Sequence, residues 1–366
     1  MRLSQRRLNR ATLVRQSLAE RTDADVVSTV DRLGGLQAQE PASPYLALWT
    51  RLDAFDPETL TRAVAAGDVV KAVLHRSTLH LVSADDYNGS ISALTTVLRT
   101  KWMGESRGRP VKRELPELTE AALAYADEPR TNAEMRAFAG TLGEPVPGDE
   151  LWRRIRRYGG FVSVPEAATW SYGRRPIHVA ARAWLGGEPA DEDGSLAHIV
   201  RSHLRAFGPA RLADVAQWSG LGIRKLERGA ALIEDLVHHE TEDGHDLLDL
   251  DGSPVPHEDL EVPPRFLPMW DETLLAYKDR TRLMPEAYRK RVIAPNGDVR
   301  PTFILDGNVA GLWWSEQSAP EAGPRIMLEP FRDLTSDERD GLEAEGERLA
   351  AFLAEREPLV YSRYRR

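Results

Sequence analysis

Apolar positions along the chain change period repeatedly, from the three-and-four spacing of a helix buried on one side to the alternation of a strand. The changes follow one local plan: a capped helix, a short turn, a second helix, then a strand pair punctuated by glycine. The second occurrence is the most regular. Thr131-Asn132-Ala133-Glu134 has the spacing of a capping box and opens a helix to about Gly140. After the turn GEPVPG, Asp149 caps a helix through Tyr158, Gly159-Gly160 ends it, and FVSVPEAATWSYGRRPIHVA reads as strands around a wing. The third occurrence predicts helices over residues 195–205, from Gly208-Pro209 to about Trp218 and over 223–236, then a hairpin over HHETEDGHDLLDL. In the first, helices over residues 4–21 and 25–33 precede an interruption at Gly34-Gly35. This is the plan of a helix-turn-helix with a wing.

Residues 263–330 have another character. Pro-Asn-Gly-Asp at 295–298 and Asp-Gly-Asn at 306–308 are hairpin turns between RKRVIA, VRPTFIL and VAGLWW, which predicts a β-meander. An amphipathic helix follows over 335–357. The expected fold class is α+β: winged-helix modules at 1–125, 126–192 and 193–262, then a β-rich part with a C-terminal helix at 263–366.

Composition narrows the chemistry. At 366 residues the chain holds two or three domains at roughly 150 residues each. No run of about 18 apolar residues exists to span a membrane, and MRLSQRRLNRAT has no apolar stretch behind its basic residues, so a cytoplasmic protein without a membrane partner is expected. The absence of cysteine excludes disulfides, thiol nucleophiles, zinc fingers and thiolate-held clusters. No His-Glu-x-x-His occurs, and His238, His239 and His245 lie in an acidic stretch, so no metal is expected. Neither a P-loop, a Gly-x-Gly-x-x-Gly nor a Gly-x-Ser-x-Gly is present, which removes nucleotide hydrolysis, dinucleotide redox and the esterase elbow; no cofactor is expected.

A net charge of −9 argues against a nucleic-acid partner, but the distribution matters more. Residues 234–261 carry eleven acids and no Lys or Arg, whereas 99–113 carries six basic residues and one acid, and Arg153, Arg154, Arg156 and Arg157 follow. The chain is electrically polarised.

Two segments stand out chemically. In Gly34-Gly35-Leu36-Gln37-Ala38-Gln39-Glu40-Pro41, the two glutamines point about 200° apart on a helix but share a face on extended backbone. A glutamine has one acceptor and two donors, so it can hold water by its carbonyl and substrate by its amide, but it takes no full proton near neutral pH. Such a pair suits a reaction with a good leaving group, where water is positioned rather than strongly deprotonated. The same residues also suit backbone hydrogen bonds at a helix end, the reading that spacing alone favours. In AVLHRSTLHLV, read as one strand, Arg76, Thr78 and His80 share a face that either lines a groove with donors or lies exposed. The stretch from Trp270-Asp271-Glu272-Thr273 to Arg282 mixes acids and bases and reads as an ion-pair network.

The order GLQAQEPASPYLALWTRL, HRSTLHLVSADDY, WDETLLAYKDRTRLMP and PNGDVRPTFILDGNVAGLWW resembles the winged-helix family of AlkZ/YcaQ (AlkX)-like DNA glycosylases over nearly the whole chain. Its most specific element is the Gln-Φ-Gln motif, matched by Gln37-Ala38-Gln39; the YcaQ branch carries Asp at the second polar position, so Gln39 aligns the chain with the AlkZ branch. The resemblance implies three tandem winged helices on a concave surface embracing double-stranded DNA. It also implies monofunctional hydrolysis of the N-glycosidic bond of N7-alkylguanine (EC 3.2.2.-), bulky natural-product adducts and interstrand crosslinks included, in base excision repair or antibiotic self-resistance. Gln37 and Gln39 would be the catalytic pair that places water beneath C1′, with Arg76, Thr78 and His80 against the substrate. N7 alkylation makes the base a cationic leaving group, so no powerful general acid is needed.

Arg107, Arg109, Lys112 and Arg113 in GESRGRPVKR, Arg153 with Arg157 on one helical face, and Arg289, Lys290 and Arg300 are the candidate DNA contacts. A monomer associated with the nucleoid is expected, without β-lyase activity. The rival reading is a winged-helix transcription regulator whose glutamines contact adenine edges.

Overall fold

A computed structural model describes residues 1–105, 111–165, 177–319, 321–357 and 359–362, with backbone only over 101–105. The N-terminal strand β1 (Arg2–Leu3) leads into α1 (Gln5–Arg15), where the Ser4 hydroxyl accepts the Arg7 N–H at 3.1 Å. This helix stops well before residue 21 because Ser17 takes a left-handed φ of 52°. The next, α2 (Val26–Arg32), starts on Asp25, whose carboxylate accepts the Ser28 N–H at 2.9 Å. Gly34 and Gly35, at φ 73° and 85°, turn the chain into β2 (Leu36–Gln37). A Cβ at Gly35 would stand 2.7 Å from Cγ1 of Val82, so glycine is required for both conformation and space.

Two helices, α3 (Ser43–Trp49) and α4 (Pro57–Ala66), precede β3 (Val69–Val73) and β4 (Leu79–Ser83). The single strand expected over AVLHRSTLHLV is therefore a hairpin. Arg76 and Ser77 have φ of 53° and 61°, and an L-residue in that region ends a strand.

After the long α5 (Ala84–Glu105) come α6 (Leu115–Tyr125), β5 (Arg130–Thr131) and α7 (Asn132–Thr141), opened by the complete Thr131/Glu134 capping box. Then follow α8 (Gly148–Tyr158), β6 (Phe161–Val164), β7 (Ile177–Ala180) and α9 (Ala181–Trp184). The cap residue of α8 is Pro147, not Asp149, which lies in the first turn where its charge suits the helix dipole.

The next helices are α10 (Glu192–Phe207), α11 (Leu212–Ser219) and α12 (Ile223–Ala230). The last ends before residue 236, because Leu236 already belongs to β8 (Leu236–Thr241), the first arm of the expected hairpin with β9 (Asp246–Leu250). The C-terminal part contains β10 (Arg265–Leu267), α13 (Arg289–Val292), β11 (Thr302–Leu305), β12 (Asn308–Glu316), β13 (Arg325–Pro330) and α14 (Ser336–Ala354). RKRVIA is thus a short helix and one bridge, Ile293 to Val299, rather than a meander strand. Three successive cations leave it no alternating apolar face. The meander instead runs β10-β11-β12-β13.

A six-stranded sheet in the order β2-β4-β3-β6-β7-β5 runs through the first half of the molecule, across the boundary expected near residue 125. One crosswise row reads Leu36, Leu81, Lys71, Ser163, His178, Arg130; the neighbouring row reads Gln37, His80, Ala72, Val162, Val179. Adjacent rows face opposite sides. On one side Val70, Ala72, Val82, Val162 and Val179 form one core with α5, α10 and Trp218. On the other, Leu36, Val69 and Leu81 join a second core with α3, α14 and the meander, while Phe161 joins a third with α6, α7 and α8. A third sheet, β1-β8-β9, ties the N-terminal strand to the acidic hairpin.

Candidate functional site

Gln37 sits on the edge strand of the six-stranded sheet, opposite His80. Its side chain is 6% exposed, and its Oε1 accepts from Nη2 of Arg76 at 3.1 Å. Beyond it the ladder changes character. The Ala38 N–H still reaches the Leu79 carbonyl at 2.8 Å, but the Leu79 N–H donates to the side-chain Oε1 of exposed Gln39, at 3.0 Å. A side-chain amide here takes an amide hydrogen on the edge of β4. Both glutamine oxygens face N–H donors, so the hydrogen-bond network orients both amides. Among the described residues no further hydrogen bond engages either amide, which leaves each carbonyl a second lone pair and each NH2 its two donors.

The turn between β3 and β4 supplies the next layer. From its left-handed position, Arg76 donates to the Trp218 carbonyl, to Gln37 and, at 2.5 Å, to Oε1 of Glu272. His80 is completely buried, with Nε2 3.1 Å from the same Glu272 oxygen and Nδ1 3.1 Å from the Thr78 carbonyl. The Thr78 hydroxyl donates to the His75 carbonyl at 3.1 Å and closes its own turn. Arg76 and His80 therefore converge, although not through a shared strand face, while Thr78 is occupied within the turn.

Glu272 lies in the stretch expected to form an ion-pair network, but its pairing with the turn between β3 and β4 has no signal in the sequence. Its neighbour Asp271 pairs with Arg51 at 2.9 Å, with an oxygen accepting the Thr273 N–H at 3.0 Å. Glu272 turns the other way, to Arg76 and His80. Burial opposes its ionisation, but the charge of Arg76 and the hydrogen bond with His80 prevail and hold its carboxyl below the usual carboxylate range. Its Oε2 is buried without a hydrogen-bond partner among the described residues. Behind it, His75 stacks on Trp218 at 3.9 Å and meets His80 edge-on at 5.2 Å. Burial, with His80 and Arg76 nearby, pushes His75 far below its ordinary value, and among the described residues neither ring nitrogen has a hydrogen-bond partner.

The basic candidates are scattered. Arg107 and Arg109 lie outside the described residues. Lys112 is exposed, but the Arg113 guanidinium is engaged by Glu144, Glu117 and the Leu142 carbonyl. Arg153 is exposed on α8, 3.9 Å from Asp149, and Arg157 is half-buried on the same helix. Arg289 and Lys290 lie exposed on α13, with Arg289 3.6 Å from Glu286; half-buried Arg300 stands nearby, its backbone N–H donating to the Val292 carbonyl at 2.9 Å. Among the described residues no three His, Asp or Glu side chains are grouped to hold a metal ion, and no helix is long and apolar enough to cross a membrane.

Comparison with known proteins gives this arrangement a context. The sequence profile of a family described as DNA glycosylase AlkZ-like matches residues 30–352. A relative named interstrand DNA cross-link repair glycosylase, from Streptomyces sahachiroi, is 25% identical over 355 residues, covering 86% of this chain and 88% of its own. The solved structure of the DNA glycosylase AlkZ from the same organism superimposes with a TM-score of 0.80 at 22% identity, over 98% of this chain and 99% of that one.

Proposed function

Since the chain belongs to the AlkZ-like DNA glycosylase family, we propose that it hydrolyses the N-glycosidic bond of N7-alkylguanine in duplex DNA, bulky adducts and interstrand crosslinks among its substrates. The observation that carries this reading is the pair Gln37 and Gln39, with amides oriented by Arg76 and by the Leu79 N–H at an open strand edge. A relative named for crosslink repair supports the substrate class.

In this mechanism the alkylated base leaves without a strong general acid, because its positive charge is neutralised as the bond to C1′ breaks. The amides of Gln37 and Gln39 hold water beneath the oxocarbenium-like carbon, and preorganisation is their main contribution. Glu272 stands behind Arg76 and His80 and acts through them. It keeps the guanidinium where it orients Gln37.

The three winged-helix modules at 1–125, 126–192 and 193–262, followed by the part at 263–366, belong to the same reading, as does a concave surface for the duplex. Support comes from α7 and α8 followed by β6-β7, and from α11, the 219–222 turn and α12 followed by β8-β9. The reading further expects a monomer that acts on the nucleoid in the cytoplasm.

The test is incubation of wild type, Gln37→Ala and Gln39→Ala with duplexes carrying simple and bulky N7-alkylguanine, scoring alkali-labile abasic sites. Release should fall at least tenfold in each variant, about 1.4 kcal/mol of barrier, while DNA binding persists. No release from any adduct, with a preferred sequence on undamaged DNA, would sink the reading in favour of a regulator.

A further inference from the structure

Beside the turn that carries Arg76, helix α5 and the chain from α11 into α12 enclose a groove of about 700 Å³. Two contacts hold its walls together. Gly220, at φ 83°, comes so close that a Cβ on it would lie 3.3 Å from Cγ1 of Val97 on α5 and 3.6 Å from Cα of Arg76. From α12, Nζ of Lys225 donates to the Thr96 hydroxyl at 3.3 Å and to Glu192 at 2.7 Å.

The lining is largely apolar. Among the described residues it includes Val97 on α5, Leu221 in the turn and Ile223 at the start of α12. The threonines of the α5 wall have their hydroxyls engaged: that of Thr96 accepts from Lys225, and that of Thr100 donates to the Thr96 carbonyl one turn back, at 2.9 Å. Leu221 belongs to the first core, whereas Ile223 is 46% exposed. An apolar side chain left open on the wall of an apolar groove is covered, at a gain in free energy, when an apolar group enters.

The groove adjoins the glutamines. Arg76 donates to the carbonyl of Trp218, two residues before Gly220, and to Gln37 at 3.1 Å, so one side chain reaches from the edge of the groove to the amide. Gln37 also lies in the sheet row of Ala72, Val162 and Val179, which pack against the layer that contains α5 and Trp218. In a guanine, N7 and N9 share the five-membered ring, so a substituent on N7 begins beside the bond to C1′. It has to be housed within its own length of the glutamines. Exposed Arg224, on the rim, complements the phosphates of the strand that would carry such a group.

We propose that this groove takes the apolar part of a bulky substituent on N7 of the guanine being released, with Val97, Leu221 and Ile223 as the residues that select it. The proposal rests on the reading of the chain as an N7-alkylguanine glycosylase.

The experiment measures kcat/KM for duplexes carrying N7-methylguanine, N7-benzylguanine or guanine with a hydrophilic ether chain of similar length on N7. The proteins are wild type, Ile223→Ser and Val97→Ser, with Leu232→Ser, an exposed apolar position outside the groove, as control. Wild type should prefer benzyl over the ether chain, and each groove variant should lose that preference by about tenfold. Leu232→Ser should keep it. Thermal melting checks folding; if half-buried Val97→Ser melts early, Ile223→Ser alone decides. A folded Ile223→Ser with the wild-type preference would overturn the proposal, and so would a wild type that releases methyl but does not favour benzyl over the ether. Release of none of the three by wild type would instead remove the glycosylase reading on which it stands.

Discussion

Glu272 shows how much a single residue can depend on partners remote in sequence. Arg76 lies 196 positions away and His80 192, and no local pattern separates Glu272 from Asp271 beside it. Gln37 and Gln39 stood out through their spacing and flanking glycines, while the catalytic role proposed for them came from the family resemblance. What spacing left open was the use of each amide. The structure answers in two ways, with Arg76 on Gln37 and a backbone N–H on Gln39.

Replacing Glu272 with Gln should destabilise the fold by about 3 kcal/mol at pH 7, because Arg76 loses its buried counter-charge. The carboxyl is held below its ordinary 4.5 in the folded state. Its stabilising effect is therefore complete above that value and is lost as pH falls through the folded-state pKa. Urea unfolding of wild type and Glu272→Gln at pH 7 and near pH 3 should show the gap closing in acid. An equal gap at both values would mean that charge is not what Glu272 contributes.

At the scale of elements, capping chemistry and turn residues located most helices; the structure repeats the Thr131/Glu134 box, whereas Asp25, expected as the first residue of α2, is its cap. The errors share a cause. AVLHRSTLHLV alternates well enough for a strand, yet two left-handed residues without glycine fold it into a hairpin, held in part by tertiary bonds such as that from Arg76 to the Trp218 carbonyl. RKRVIA failed as a strand for a reason in the run itself: three successive cations leave no alternating apolar face, and Arg289–Val292 coils into α13.

The entry into β2 is where an element boundary bears on chemistry. Gly35→Ala places a Cβ 2.7 Å from Val82 at a φ of 85°, so β2 has to move away from β4. A loss of about 2 kcal/mol is expected. Glycosylase activity should fall further than stability explains, because Gln37 moves with the strand. Activity that follows the folded fraction alone, measured against urea, would refute the coupling.

For the whole molecule, local patterns suggested a row of joined modules, and the sheets pair strands across the boundaries expected between them. Strand β3 pairs with β6, and β1 pairs in parallel with β8. Pairings across such sequence separations leave no trace in a local pattern. A fragment covering residues 1–125 would lose both partner strands and the part of the first core built from Val162, Val179 and Trp218. It should give the circular dichroism of a largely unfolded chain, while the full chain melts in one transition seen alike by tryptophan fluorescence and far-ultraviolet signal. A folded fragment would show that the modules are independent after all.

The bond from the Leu79 N–H to Gln39 has a use beyond architecture. That amide hydrogen is shielded by the side chain expected to turn toward substrate. If Gln39 swings onto water and sugar, the hydrogen is uncovered and deuterium replaces it sooner. Isotope uptake at this one backbone position would therefore time the engagement of the glutamine, separately from both DNA association and base release.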